Sequence, residues 1–287
     1  MRKDPHSLED PDPQDDAMIF TMAHARFFLL LLLLEKEIGA FSPQAAPHRT
    51  QRNLLRPRTA ESTTFAESPT TSSAASASAY SEAELIEKAK EFLDSGTGFY
   101  SSLRPELLDD DFIFRGGVVG PLNKEDYLRT MTLLGVSEAF DLSSNYFGFT
   151  LDPDVPNSVR FFIRNRGEHV KSWQPWGAFP PLPLSPTAGM TSVVAPTETA
   201  RLIFSDSGKV KHFGTGLVVG KYEQEVNTNG LGAVLGLFNA IGVGQVGGLA
   251  LSKQVRDFSN AAADQFEFLK IPKTKSLPEK VPAWWKE

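Results

Sequence analysis

The chain has 287 residues, 41% of them hydrophobic and 10% aromatic, enough apolar material for a packed core and too much for a wholly disordered or fibrous protein. Its 29 Lys and Arg stand against 35 Asp and Glu, and a formal net charge of -6 without a basic block argues against nucleic acid as a partner. It has no cysteine, which removes disulfides, thiolate metal sites, iron–sulfur clusters and cysteine nucleophiles together.

Residues 1–79 read as a disordered leader outside the fold. Residues 1–17 are acidic and proline-rich, with no apolar period to bury. From Phe27 to Leu34 the chain is an unbroken apolar run, far short of the roughly twenty residues a membrane-spanning helix needs. It fits the apolar core of a signal peptide instead, with His24 and Arg26 just before it. The acidic start does not fit one, so translation is expected to begin at Met18 or Met22. Between Phe41 and Ala79 stand thirteen Ser or Thr, four Arg and only two acids, the composition of an organellar transit peptide. The junction Ala40-Phe41-Ser42-Pro43 resembles the bipartite plastid-targeting leader of algae with complex, red-derived plastids. In that family the Phe after the cleavage point is the key residue, and Phe41 matches it; the charged Glu35-Lys36-Glu37 before it is a departure. The resemblance implies a signal peptide over about 18–40, a transit peptide over 41–79 and the plastid stroma as destination. Secretion behind a mucin-like linker is the competing reading.

From Tyr80 the pattern is helical, then extended. Ser81 and Glu84 have capping-box spacing, and Leu85, Ile86, Ala89, Phe92 and Leu93 follow at helical period. A short second helix is expected over 103–108, then a strand through Phe112-Ile113-Phe114-Arg115, then a helix over 124–134 capped by Asn123. Segments 140–151, 158–166 and 200–204 are rich in aromatic and β-branched residues and read as strands. Ser205 to Gly208 is a hairpin turn leading into a strand over 210–219. Six prolines in 175–196 mark a long exposed insertion. The whole is an α+β domain over 80–222, followed by a Gly-rich segment, a helix and a tail over 223–287.

Three segments resemble the nuclear transport factor 2-like superfamily, more narrowly its SnoaL-like and ketosteroid isomerase-like members. They are Leu107 to Arg115, Val119 to Leu128 and the Phe204 to Val210 hairpin. The resemblance implies a curved antiparallel sheet wrapped as a cone around N-terminal helices, with an apolar pocket at its open end. It implies that this pocket takes a small apolar molecule, without a cofactor or metal, for isomerisation, cyclisation or dehydration. A non-catalytic module engaging a protein or thylakoid partner is the alternative, since the fold hosts both.

Candidate chemistry is sparse. Period two puts His212 on the face of Val210, Gly214 and Val218, where it would act as a general base if that face lines the cone; a structural histidine is the plainer reading. His169 is the second histidine of the domain. Asp111 is the third acid of Asp109-Asp110-Asp111, a buried acid–base group or one part of a solvated corner. Phe114, Arg115 and Tyr127 are substrate-binding candidates near the mouth, with Tyr127 equally placed for packing. Trp173 and Trp176, with Phe179, would form an aromatic flap or pin the insertion to the body. Segment 226–252 carries no charge and contains Gly232-x-x-x-Gly236. Seven glycines between Gly230 and Gly248 weaken it as a membrane helix, so docking on the domain or covering its pocket is favoured over a peripheral membrane contact. A homodimer through the sheet completes the expected partners.

Overall fold

A computed structural model describes residues 80–175, 183–220, 225–244 and 252–285. Residues 1–79, expected to be a targeting leader, and Trp176 and Phe179 lie outside the described residues.

The first helix, α1 (Glu82–Ser95), starts at the capping box: the Ser81 side chain accepts from Glu84 N–H, and the Glu84 carboxylate accepts from Ser81 N–H at 2.8 Å. It buries Leu85, Ala89, Phe92 and Leu93. A 3-10 turn at Pro105–Leu107 replaces the expected short helix. Strand β1 (Leu108–Gly116) pairs with β2 (Leu122–Asn123), and Asn123 caps α2 (Lys124–Leu134) through Asp126 N–H. A single turn, α3 (Val136–Ala139), leads into β3 (Phe140–Leu151) and β4 (Ser158–His169). Strands β5 (Ser192–Val194), β6 (Glu198–Phe204) and β7 (Val210–Val218) follow. Beyond the sheet lie α4 (Ala233–Ala240) and α5 (Lys253–Gln265).

The sheet runs β2-β1-β7-β6-β4-β3, with β5 added to β4; β1 and β7 are parallel and every other pair is antiparallel. Register shifts interrupt β1/β7, β3/β4 and β6/β7, and such bulges bend a strand. Two of them fall at glycines of positive φ, Gly148 (φ 67°) and Gly216 (φ 86°), a conformation open to glycine and strained for other residues. The result is a curved α+β sheet closing over α1 and α2. Its inner face carries Val159, Phe161 and Ile163 from β4, Ala200, Leu202 and Phe204 from β6, and Val210 and Phe213 from β7. Phe92 of α1 meets Phe213 edge-on at 5.4 Å, and Tyr127 of α2 lies between Phe112 and Phe114.

The proline-rich stretch is not wholly an exposed insertion. Leu184 exchanges backbone hydrogen bonds with Trp173, and β5 joins the sheet with Val193 buried. The C-terminal part packs on the same body. Leu237, Phe238, Ala240 and Ile241 enter the core cluster, as expected of a segment docked on the domain. Among the described residues no helix is long and apolar enough to cross a membrane. The tail is stitched to α2 and the β1–β2 corner: Gly120 N–H donates to Thr274 O, Ser276 N–H to Pro121 O, and Ser276 Oγ to Asp126 Oδ2 at 2.5 Å.

Candidate functional site

The residues expected to carry chemistry are mostly not in the cone. His212 lies on the outer face. Its neighbour Phe213 points into the core, and successive strand residues face opposite sides. The expected inward face fails because Phe204 pairs with Val210 while Ile203 pairs with His212, so Lys211 is an extra residue that flips the period. The tail covers His212 from outside: its ring stacks on Trp285 at 5.3 Å and meets Trp284 edge-on at 6.5 Å. Burial, with a smaller contribution from Arg201, lowers its pKa to about 4, and neither ring nitrogen finds a hydrogen bond.

Asp111 is exposed at the bulged start of β1, and its carbonyl accepts from Trp284 Nε1 at 3.0 Å. The acidic triplet is a solvated corner, with Asp110 paired to Lys124. Arg115 faces outward and donates to the carbonyls of Gly116 and Val119. Phe114 and Tyr127 are core packing, with the Tyr127 hydroxyl spent on Thr97 O. His169 is buried against Phe140, with ring centroids at 4.6 Å, so its place is structural packing. Trp173 is not a flap. It is 1% exposed, donates its indole N–H to Leu134 O and packs against Phe140 and Phe238.

The cone interior instead gathers a polar set that the sequence reading passed over. Glu198 opens β6 on the same inward face as Ala200, Leu202 and Phe204, and it is fully buried. One carboxyl oxygen accepts from Ala233 N–H at 3.1 Å, while Oε2 has no partner. Burial pushes its pKa up to about 7, with the Ala233 N–H and the Asn165 side chain offsetting part of the rise. Tyr100, from the loop after α1, is held well above the usual phenol value by burial and then by the Glu198 charge; Thr215 and Asn165 partly counter this. Asn165 is itself oriented by Ser144, whose hydroxyl donates to Oδ1 at 2.6 Å. The hydroxyls of Tyr100, Thr215 and Thr228 are all buried without partners. One signal in the sequence did mark this site: an acid continuing the period-two apolar stripe of a strand.

Tyr100, Asn165 and Thr228 line, with Leu142, Val193 and Leu237, a cavity of about 10 Å³. That is room for about one water. A larger space of about 570 Å³ opens on the outside, between the Asp110–Asp111 corner, α2 and the tail at Glu279–Pro282. Its charges pair across it, Lys124 with Asp110 and Lys280 with Glu125, and it is an open surface groove rather than an enclosed pocket.

A curved sheet closed over two helices, with a buried interior holding a few convergent polar groups, defines an α+β cone. Among solved structures, similar proteins are of SnoaL-like and nuclear transport factor 2-like description. A SnoaL-like protein from Jannaschia sp. CCS1 is 17% identical, covering 46% of this chain and 84% of its own, with a TM-score of 0.34. AclR from Streptomyces galilaeus is 18% identical over 47% and 89% respectively, TM-score 0.36. A steroid delta-isomerase from Pseudomonas aeruginosa is 14% identical over 59% and 94%, TM-score 0.30. No family model and no curated protein matches the chain.

Proposed function

We propose that the cone binds a small apolar molecule and that Glu198 transfers a proton on it. One observation carries the reading. Four buried polar atoms without a hydrogen bond of ordinary geometry gather around one small chamber: the hydroxyls of Tyr100 and Thr228 belong to residues that line it, and Glu198 and Thr215 lie within interaction range of Tyr100. Each unmet buried group costs about 1–3 kcal/mol, so a concentration of them marks a place built for a ligand rather than for stability. A carboxyl with a pKa near neutrality both accepts and returns a proton, while a phenol held protonated donates a hydrogen bond to a substrate oxygen. Isomerisation, cyclisation and loss of water all need such a transfer. Glu198→Gln keeps the size and the acceptor for Ala233 N–H but cannot exchange the proton. It should bind the molecule that co-purifies with the wild type while its turnover falls about 10²–10⁴-fold. A fall of less than tenfold removes Glu198 from the reaction.

A second reading, the non-catalytic module, is favoured by the small free volume of the cone, about 10 Å³. Such a module would use the outer sheet face, where Leu217 and Phe162 are exposed. A cone that retains no small molecule and an outer face that captures a defined protein would support it.

The proposed place of action is the plastid, on the strength of Phe41 and the Ser- and Arg-rich stretch behind it. A fluorescent protein fused to residues 1–79 should reach a complex plastid, and Phe41→Ala should stop it before the stroma. Stromal delivery unaffected by that substitution, or secretion of the unmutated fusion, contradicts the assignment.

A further inference from the structure

Helix α4 closes the inner cavity, with Ala233, Gly236 and Leu237 among its lining residues. Leu237 and Phe238 are buried in the core cluster, and Phe238 lies 4.9 Å from Trp173, centroid to centroid. The beginning of α4 is fastened to the polar set by a single bond, from Ala233 N–H to Glu198 Oε1. Gly232 presses against the same carboxyl: a Cβ there would lie 2.4 Å from Glu198 Cδ. Ala233 itself is held at φ 44°, in the left-handed region that a residue with a Cβ avoids. Even with α4 seated, Glu198 Oε2 and the hydroxyls of Tyr100, Thr215 and Thr228 stay unmet. A strained residue held beside unsatisfied buried groups is a mark of a functional contact.

We propose that α4 is a displaceable internal plug that stands in for the ligand, fixing the ligand's class. The molecule that replaces it is elongated and apolar, with an N–H or O–H donor at the end that meets Glu198 in place of the Ala233 amide. Eight helical residues span about 12 Å, which sets its length near that of a ten-carbon chain. The proposal rests on the cone being a ligand site, and the test separates the two.

The test is amide hydrogen exchange on the full chain, with β4 and β6 amides as the control for an intact fold. Gly232→Val drives a side chain into the Glu198 carboxyl and should speed exchange over 233–240 at least tenfold. Ala233→Gly relieves the left-handed strain and should slow it. Added 1-decanol should speed α4 exchange in the wild type, and decyl methyl ether, which lacks the donor, should do so far less. If Gly232→Val disturbs β4 and β6, Ala233→Gly carries the test, and unchanged or faster α4 exchange there overturns the plug. Equal α4 and β6 exchange in every variant, with or without decanol, overturns it too. Selective opening in Gly232→Val with no binding of 1-decanol overturns instead the ligand-site reading and the stand-in role built on it.

Discussion

Lys273→Ala should cost the fold about 3–5 kcal/mol, the usual consequence of leaving one partner of a buried ion pair alone. Lys273 is 1% exposed and holds the tail to the body. Its ammonium pairs with Asp126 of α2 at 3.0 Å and with Asp264 of α5, while Thr130 exchanges hydrogen bonds with its backbone. Burial alone would depress the Lys273 ammonium, but the hydrogen bonds to Asp264 and Asp126 outweigh it and hold the pKa above its ordinary value. A raised lysine loses its contribution only as pH climbs past 10.5, so the Lys273 contribution is constant across neutral pH. Without Lys273, Asp126 keeps only Ser276 as a partner in a dry site. In a domain of this size about 1 kcal/mol moves the melting temperature by about 2–4 °C, so the variant should melt roughly 6–20 °C lower. Lys273→Met combined with Asp126→Leu should recover much of that loss, because no unpaired charge stays buried. A single Lys273→Ala that melts with the wild type would mean that the tail is not docked in solution.

The second large effect is a pair of opposing pH dependences. Glu198 has its folded pKa raised to about 7 from 4.5. The folded state therefore binds more protons in between, so this contribution is whole below 4.5 and is lost as pH rises through 7. At about 1.4 kcal/mol per unit the loss totals about 3 kcal/mol. His212 has its folded pKa lowered to about 4 from 6.5. Its contribution is whole above 6.5 and is lost as pH falls through 4. Between 4.5 and 6.5 the two slopes oppose and largely cancel, leaving the wild type a shallow rise to which the lowered His169 adds. Glu198→Gln removes one slope, so its denaturant stability should climb with pH across that window. His212→Gln removes the other, so its stability should fall from pH 4.5 to 7. Parallel profiles for the wild type and Glu198→Gln would show that Glu198 ionises at an ordinary value and is not sealed in the cone.

Local signals in the sequence located most elements and fewer of the faces. The Ser81–Glu84 box and the Asn123 cap each placed a helix end, because caps are short-range chemistry. The uncharged Gly-rich segment was legible as a docked piece, since Gly232 and Gly236 permit the close approach that a buried seat needs. His212 went to the wrong side because one bulged residue, Lys211, cannot be seen in an alternation pattern. The site itself was missed for a related reason. A strand read from Ala200 leaves out Glu198, two residues earlier on the same inward face. The tail's role was out of reach of any local reading: Ser276 and Asp126 are separated by 150 positions, and only the folded chain brings them together.

The central claim is that the cone is a ligand site organised by Glu198, and native mass spectrometry of the purified protein tests it most directly. The intact mass should exceed that of the chain by the mass of one small apolar molecule. The excess should be released on unfolding as an apolar molecule with one hydrogen-bond donor, and Thr228→Trp, which puts a large side chain where Thr228 lines the chamber, should abolish it. A native mass equal to that of the bare chain, in preparations offered the apolar extract of the source cells, would contradict the claim.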